Sequence, residues 1–507
     1  MARWGLPRDA VDALPERLHA FWQRYRQHFW TKTRNVAEYA YHYLSGLLRM
    51  KTDRNFAEIG RQTGVAGENL QHFMSNSPWS AQGPLHQVQQ EIKVLPEWQQ
   101  GSVLILDESA VAKAGDHPAG SARQHNGRLG KTDRCQVGVF LALGQGPNWT
   151  WIDGALFLPE VWFSEAYAER RAQAGIPIAR TFKTKVELGW EMIARALDEE
   201  VPFDFVACDD LYGRANWFRA QLAARGVVYM ADVPSTTRVY LQRPEWGVPP
   251  APKRGKAPTQ PRVLSPEKPL SVAEIAARPE TQWHTLAVRS TARGELQGTY
   301  AARCVWTLRD GVPTEEWLVM RRAADGEVTY AFSNAPADTS LETLAYMEAQ
   351  RYFVERTIQD AKSELGWDEC QAFKYRAWEH HLALTIMAAW FITQTRLEWQ
   401  AHYAADPQLP ELLEVDELPV LSVANVRELL RATMPLRQLS IAQAQELIAQ
   451  HLLNRARSRK SRLKKQRGQR QSSSSEHEYC AIVVLSTGWP ITTSAPRATR
   501  RSSANGS

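Results

Sequence analysis

One apolar stretch, residues 103–106, constrains the fold of this chain more than any other. Its four consecutive aliphatic residues follow a Gly-Ser turn and end at Asp107. A half-exposed strand would alternate apolar and polar residues, so this run predicts a central strand buried on both faces, with Asp107 at its carboxyl end. A carboxylate there is costly to desolvate unless it is paired or binds a metal, although an aspartate can also cap a turn or a helix.

The same pattern recurs at residues 203–209, where a second apolar run ends in Asp209. Between the two acids, residues 135–143 and 150–158 predict strands separated by a Gly-Pro-Asn turn. Together with the strand that ends at Asp107 they would form an antiparallel meander. Further elements expected from periodicity are a helix at residues 181–197, a strand at 227–233 and a strongly apolar helix at 378–397.

Composition limits the class of protein. The chain has 507 residues, 44% of them hydrophobic and 23% charged, which is typical of a soluble protein of two or three domains. The five cysteines never form a CxxC pair, which argues against disulfides and zinc knuckles and favours a reducing cytoplasm. Residues 382–392 are too short to span a membrane, and the N-terminus lacks the apolar core of a signal peptide.

Two segments could bind DNA. Residues 55–74 predict two short helices joined through Gly64, the layout of a helix-turn-helix, and a purely structural helical pair is an equal alternative. The loop after Asp107 carries cations among glycines, which suits a phosphate backbone but is also common in solvated loops. The cations of this loop are Arg123, Arg128, Lys131 and Arg134.

The second half is less regular. Residues 242–269 are rich in proline and poor in large apolar residues, so we expect a mobile segment that folding does not need. Short strands follow, and then a helix whose capping box would be Thr339 and Glu342. A dense basic block ends the patterned part of the chain and would bind DNA nonspecifically, with a solubilising tail as the alternative. The block comprises Arg455, Arg457, Arg459, Lys460, Arg462, Lys464, Lys465, Arg467 and Arg470.

These motifs together resemble the DDE transposases of bacterial insertion sequences, in the subgroup with a β-strand insertion before the final glutamate. The resemblance covers about residues 100–395 in family order and rests on Asp107, on Asp209 with Tyr212-Gly213, and on Arg351-x3-Glu355-x6-Lys362. It extends to the GSARQHNGRLGKTDRCQVGV and LFLPEVWFSE segments and to Phe182-x-Thr184-Lys185. One departure is Glu348, which stands where the family has a tyrosine.

The resemblance implies an α/β fold with an RNase H-like mixed sheet, an all-β insertion and a helical N-terminal domain. The expected divisions are a helical domain at 1–99, a core at 100–233 and 337–400, a linker with β insertion at 234–336, a helical region at 401–453 and a basic tail at 454–507. Asp107, Asp209 and Glu355 would hold two Mg²⁺ (or Mn²⁺) ions, which prefer hard oxygen ligands.

The implied function is a DNA transposase that cuts the ends of an insertion sequence and transfers them to target DNA. It would act as a homodimer on double-stranded DNA in the bacterial cytoplasm, at the nucleoid, without a membrane partner. Arg351, Lys362 and Tyr212 would support the acids, and Lys185 would join the loop and tail cations in binding DNA. A transposase-derived DNA-binding regulator that no longer cuts is the alternative.

Helical geometry selects Glu355 among the acids of its segment. At 100° per residue from Arg351, Glu355 lies at about 40° and Lys362 at about 20°, beside an apolar face at about 280° to 340°. Asp360 and Glu364, at about 180° and 220°, are expected to face solvent. Glu348, at about 60°, is the rival if the helix continues through Arg351.

Overall fold

The computed structural model describes residues 13–127, 130–251, 256–291, 294–309, 311–401, 421–437 and, apart from 444, 447, 450, 451 and 454, residues 440–464. Residues 1–436 form one compact unit and residues 437–507 a second. Among the described helices, none combines the length and apolarity needed to cross a bilayer.

The described part of the first 99 residues is mainly helical. Its helices pack on the long helix α13 (Tyr375–Trp399) and share its core. Tyr43 hydrogen-bonds His381 of α13 at 3.0 Å, and the rings of Phe21 and Phe391 lie 5.4 Å apart. The leading helices therefore do not enclose a separate core of their own. They are α1 (Leu14–Tyr25), α2 (Ala37–Arg49), α3 (Phe56–Thr63), α4 (Gly67–Ser75) and α5 (Gln82–Lys93).

The two short helices predicted for residues 55–74 are α3 and α4. Asn55 begins α3 by accepting the main-chain N–H of Glu58 at 3.0 Å. Gly64 ends the helix with a φ of 82°, a left-handed conformation that glycine adopts at low cost. At Gly67 a Cβ would lie 2.9 Å from the Cα of Ala57, so the absence of a side chain there lets the two helices approach closely.

A mixed sheet forms the centre of the first unit. In spatial order β4, β3, β1, β5 and β6 lie side by side. β1, β3 and β4 pair antiparallel, which confirms the predicted meander, whereas β5 and β6 run parallel to β1. Such a mixed sheet covered by helices is compatible with an RNase H-like core. The strands are β1 (Ser102–Ala112), β2 (Ala122–Asn126), β3 (Lys131–Gln145), β4 (Asn148–Phe157), β5 (Phe205–Cys208) and β6 (Val228–Asp232).

The region expected to form an all-β insertion differs from that expectation in two respects. It contains a helix, α10 (Val272–Ala276), and its long strands continue the central sheet beyond β6 through the antiparallel pairing of β14 with β6. The long strands are β11 (His284–Thr291), β12 (Gly294–Arg309), β13 (Val312–Arg322) and β14 (Val328–Ser333). The short pairs are β7 (Arg238–Val239) with β10 (Leu270–Ser271) and β8 (Trp246–Gly247) with β9 (Arg262–Val263).

The remaining helices surround the sheet. α7 starts at Lys185, because Thr184 and Glu187 form a capping box there. α11 is capped by Ser340, whose side chain accepts the N–H of Thr343, and not by the predicted Thr339. The helices are α6 (Ala168–Gln173), α7 (Lys185–Asp198), α8 (Asp210–Gly213), α9 (Asn216–Ala224), α11 (Leu341–Ala349), α12 (Tyr352–Ser363) and α14 (Val423–Thr433). Single 3₁₀ turns occupy Arg26–Phe29, Pro96–Trp98, Glu160–Phe163, Glu165–Tyr167 and Trp367–Glu369.

Candidate active site

Three aspartates stand in a row across the parallel part of the sheet. In the register of the strands, Leu106 of β1 pairs with Cys208 of β5, and Cys208 pairs with Ala231 of β6. The next residue of each chain segment is an aspartate: Asp107, Asp209 and Asp232. Because carboxyl ends of parallel strands meet at one edge, the repeated pattern of an apolar run followed by an acid brings all three to the same edge.

Asp107 lies in the middle of β1 and not at its end, which corrects the sequence prediction. Residues 103–106 are fully buried, as predicted for a central strand. Beyond them β1 continues to Ala112 because its other edge stays paired with β3, with Asp107 opposite Phe140. What ends after Leu106 is the parallel pairing with β5. The local sequence could not show that two pairings of one strand end at different residues.

Asp209 follows β5 directly and also caps the short helix α8. Its Oδ1 accepts the main-chain N–H of Leu211 at 3.0 Å. The capping interpretation and the functional one are therefore both compatible with its position. Its other oxygen is free of this hydrogen bond, and a carboxylate that keeps one oxygen for a cap can offer the second to a cation.

Glu108 joins the two aspartates, and sequence reasoning did not single it out. Single carboxylate oxygens of Asp107, Glu108 and Asp209 all lie within 4.8 Å of one another. Oε1 of Glu108 pairs with Nζ of Lys185 at 2.6 Å, and Oε2 accepts the hydroxyl of Tyr212 at 3.2 Å. Lys185 and Tyr212 therefore both contact this carboxylate. The available signal was its place directly after Asp107.

Burial and crowding alter the charge of the cluster. Burial, and then the neighbouring Asp209, raise the pKa of Asp107 to about 8. Burial, followed by Glu108 and Asp210, raises the pKa of Asp209 to about 6. Close carboxylates resist full ionisation, and a divalent cation relieves the repulsion with the oxygen ligands that Mg²⁺ prefers. The residues present thus fit a divalent metal.

Glu355 is not among the three clustered acids. Its side chain is 62% exposed, and its Oε1 lies 3.8 Å from Nη2 of Arg351. Arg351 in turn contacts Oδ2 of Asp232 through Nε at 2.7 Å. Glu355 therefore joins the row of aspartates through Arg351. Its rival Glu348 lies on the preceding helix α11, because the chain turns at residues 350–351 and the two helices are not continuous.

The solvent-facing assignment on α12 is wrong for Asp360. Asp360 is only 5% exposed and pairs with Arg356 at 3.2 Å, and burial raises its pKa to about 6. Glu364 is partly buried and pairs with Arg427 of α14. The prediction assumed that only the apolar side of α12 packs against the protein. A second side is also covered, because Nε1 of Trp151 donates a hydrogen bond to the Thr357 hydroxyl.

The predicted DNA-binding cations are distributed over several elements. Arg123 and Lys131 are exposed on a hairpin of β2 and β3, where a loop was predicted. Residues 122–126 pair with residues 131–135, and Gly127 and Gly130 lie in the turn between the two strands. Arg455, Arg457 and Lys464 are exposed on helical residues 455–464. Arg128 and Lys465 lie outside the described residues.

Asp232 was contained in a predicted strand but was not recognised as a site residue. It is largely buried, with 19% of its side chain exposed, and burial raises its pKa to about 7 against the opposing effect of Arg351. The signal was available in the sequence. Residues 227–231 are apolar or aromatic and end in an aspartate, the pattern that selected Asp107 and Asp209.

A comparison with protein-family models gives one match. The model described as DDE superfamily endonuclease covers residues 24–295, which is more than half of the chain and includes Asp107, Asp209 and Asp232. The search of curated proteins finds no match.

Proposed function

Because the chain belongs to the DDE superfamily of endonucleases, and this family implies a metal-dependent nuclease, we propose that it is the transposase of a bacterial insertion sequence. It would cleave the ends of its element and transfer them to target DNA. The observation that carries this proposal is the acidic cluster in the mixed sheet, in which single carboxylate oxygens of Asp107, Glu108 and Asp209 lie within 4.8 Å of one another.

We assign Asp107, Asp209 and Glu355 as the ligands of two Mg²⁺ (or Mn²⁺) ions. When bound, such ions would activate a water molecule or a DNA 3′-hydroxyl as the nucleophile and would stabilise the charge that develops in displacement at phosphorus. Arg351 sits between Asp232 and Glu355 and would hold the Glu355 carboxylate at the site. Lys185 and Tyr212 fix Glu108 next to the ligands, and Lys185 thereby offsets its negative charge.

DNA binding would use three separate segments of the chain. The exposed cations Arg123 and Lys131 lie on a hairpin whose strand β3 pairs with the distal part of β1, beyond Asp107. The helices α3 and α4 have the layout of a DNA-reading pair, and the basic block around Arg455 would contact phosphates without reading sequence. We expect the protein to act as a homodimer on DNA, at the bacterial nucleoid.

A plasmid carrying the coding sequence between its flanking DNA tests the function. Purified protein and Mg²⁺ should release the element, and chelation of the metal should stop the release. The non-cutting regulator, which the acidic cluster does not favour, predicts specific DNA binding with no strand breaks under any metal. A chain that binds element ends but never nicks them would overturn the transposase assignment.

A further inference from the structure

We infer that Asp232 is a positioning residue of the active site, which holds Arg351 and through it Glu355 near the part of the sheet where Asp107 and Asp209 lie. The inference rests on the proposed function in one respect, the role of Glu355 as the third acid. It adds a residue outside the acidic triad. Its basis is a chain of contacts that links the second acid to the third.

The main chain of Asp232 is fixed relative to Asp209. The carbonyl oxygen of Asp232 lies against Gly213, where an added Cβ would be only 1.9 Å from that oxygen. Gly213 ends α8, the short helix that Asp209 caps. The strand pairing of Cys208 with Ala231 adds a second restraint on the same two segments. Asp232 therefore cannot shift without moving the helix that follows Asp209.

The side chain of Asp232 contacts Arg351 at a turn of the backbone. α11 ends at Ala349 and α12 begins at Tyr352, so Arg351 occupies the N-cap of α12. The Arg351 side chain makes no capping hydrogen bond, and its Nε instead contacts Oδ2 of Asp232 at 2.7 Å. An ion pair at this distance between partly buried groups is screened less than an exposed one and restrains both partners. It therefore sets where the first turn of α12 lies.

Glu355 stands one turn further along α12 and contacts the same guanidinium, at 3.8 Å. Arg351 thus bridges an aspartate that is anchored in the sheet and a glutamate that is mostly exposed. Without Asp232, the guanidinium would keep its contact with Glu355 but lose its attachment to the sheet. The first turn of α12 would then be free to move away from Asp107 and Asp209.

A double-mutant cycle tests this coupling with two measurements. Asp232→Asn, Arg351→Gln and the double variant are compared by hydrogen exchange of the peptide spanning residues 350–357 and by the rate of DNA-end cleavage. We expect Asp232→Asn to speed amide exchange in that peptide and to lower kcat about 10- to 100-fold, with DNA affinity unchanged. In the Arg351→Gln background the same substitution should change either measurement less than about twofold, since the partner is already absent.

The matched control is Asp153→Asn. The side chain of Asp153 is 2% exposed and pairs with Arg195 at 2.8 Å. Its substitution therefore breaks another aspartate–arginine ion pair in a different part of the fold. It should leave exchange at residues 350–357 and kcat within twofold of wild type. Asp232→Glu, which keeps the carboxylate, should recover part of the lost rate and covers the case in which Asp232→Asn folds poorly.

The outcomes separate this inference from the proposed function. Additive effects of Asp232→Asn and Arg351→Gln, or unchanged exchange at residues 350–357 in Asp232→Asn, would overturn the inference even if the wild type cuts DNA. If the wild type fails to cut DNA, the proposed function fails, and the exchange measurement alone still decides whether Asp232 restrains α12.

Discussion

Lys362 of α12 donates a hydrogen bond from Nζ to the main-chain carbonyl of Ala110 at 3.1 Å, which ties this helix to β1 three residues beyond Asp107. The sequence had suggested that Lys362 holds the glutamate or a DNA phosphate. In the structure it anchors the far part of α12, whereas Arg351 anchors its start on Asp232. The helix that carries Glu355 is therefore attached to β1 at one end and to β6 at the other.

The first prediction concerns Glu355. Glu355→Gln should lower metal-dependent cleavage by more than about 100-fold, because a ligand matters more than the residues that merely orient ligands. Element-end binding and the thermal midpoint should stay close to wild type, since the side chain is 62% exposed. Single-turnover cleavage, a gel-shift assay and a thermal melt measure the three properties.

The control for this variant is Glu97→Gln, an exposed glutamate before β1 that should have no effect. Asp360→Asn would not be a neutral control, because that residue is buried. If Glu355→Gln cuts at close to the wild-type rate while Glu348→Gln alone is inactive, Glu348 is the ligand and the assignment is wrong.

The second prediction concerns the pH dependence of stability at Asp360. Burial raises its pKa to about 6 in the folded chain, above the ordinary value of 3.8. The folded state therefore binds this proton more tightly, and the resulting stability is present below about pH 4 and lost as pH rises through about 6. Asp360→Asn should remove this loss, which is on the order of 2 to 3 kcal/mol.

Urea unfolding of wild type and variant at pH 4.5, 6 and 7.5 measures this difference, and the subtraction cancels the other titrating groups. The free energy of unfolding should fall less steeply with pH in Asp360→Asn. Asp198→Asn removes an acid that is 69% exposed and paired with Arg225, and its curve should run parallel to that of the wild type. Parallel curves for Asp360→Asn as well would refute the prediction.

The sequence predicted the sheet better than the site. Patterns within one strand were sufficient to identify the buried residues before Asp107 and the strand before Asp209, because apolar runs depend only on local burial. Lys185 and Glu108, which are in contact, are 77 positions apart in the sequence (185 − 108). Arg351 and Asp232, which are also in contact, are 119 positions apart (351 − 232). No local pattern contains such a pair. The prediction that Asp360 faces solvent was wrong for the same reason, since the strand that covers this side of α12 is distant in sequence.

The third prediction concerns metal and stability. Mn²⁺ should raise the thermal midpoint of the wild type, and at 100 times the dissociation constant the gain is about 2.7 kcal/mol. Asp209→Asn should lose most of this gain. The asparagine can still accept the N–H of Leu211 and cap α8, so the substitution removes the charge and keeps the cap.

In chelator at pH 7.5 the same variant should be at least as stable as the wild type, because it removes a carboxylate whose pKa burial raises to about 6. Differential scanning calorimetry with and without Mn²⁺ gives both numbers. An equal gain from Mn²⁺ in Asp209→Asn and wild type would show that the metal binds elsewhere.

The fourth prediction concerns the basic block. A chain shortened to residues 1–453 should bind nonspecific DNA with a shallower dependence on salt, because each phosphate contact contributes about 0.9 to the slope of log K against log salt. The described cations of the block, Arg455, Arg457 and Lys464 among them, are exposed on residues 455–464 and can reach phosphates. A chain of residues 1–470 is the control and should keep the wild-type slope. If both truncations keep that slope, the block does not bind DNA.

The last prediction concerns the proline-rich segment, which the sequence marked as dispensable for folding over residues 242–269. Within it, β8 pairs with β9, and the ring of Trp246 lies against Gly311, where a Cβ would be 2.7 Å from the indole. The guanidinium of Arg243 lies 5.6 Å from the ring of Trp306. These contacts give the two ends of the segment a role that its composition did not suggest, because composition does not show which residues contact distant parts of the chain.

Replacing residues 249–260 by a short Gly-Ser turn should therefore change the free energy of unfolding by less than about 1 kcal/mol, since each doubling of loop length costs only about 0.6 kcal/mol. Deleting all of residues 242–269 should cost more, because it also removes the packing of Trp246. Trp246→Ala in the full chain isolates that contribution and should account for most of the difference. Limited proteolysis should cut first between residues 249 and 260 in the wild type. Protection of that stretch while the rest of the chain is digested would show that residues 249–260 are packed and not dispensable. Equal stability of the short and the full deletion would show that the anchors do not stabilise this part of the sheet.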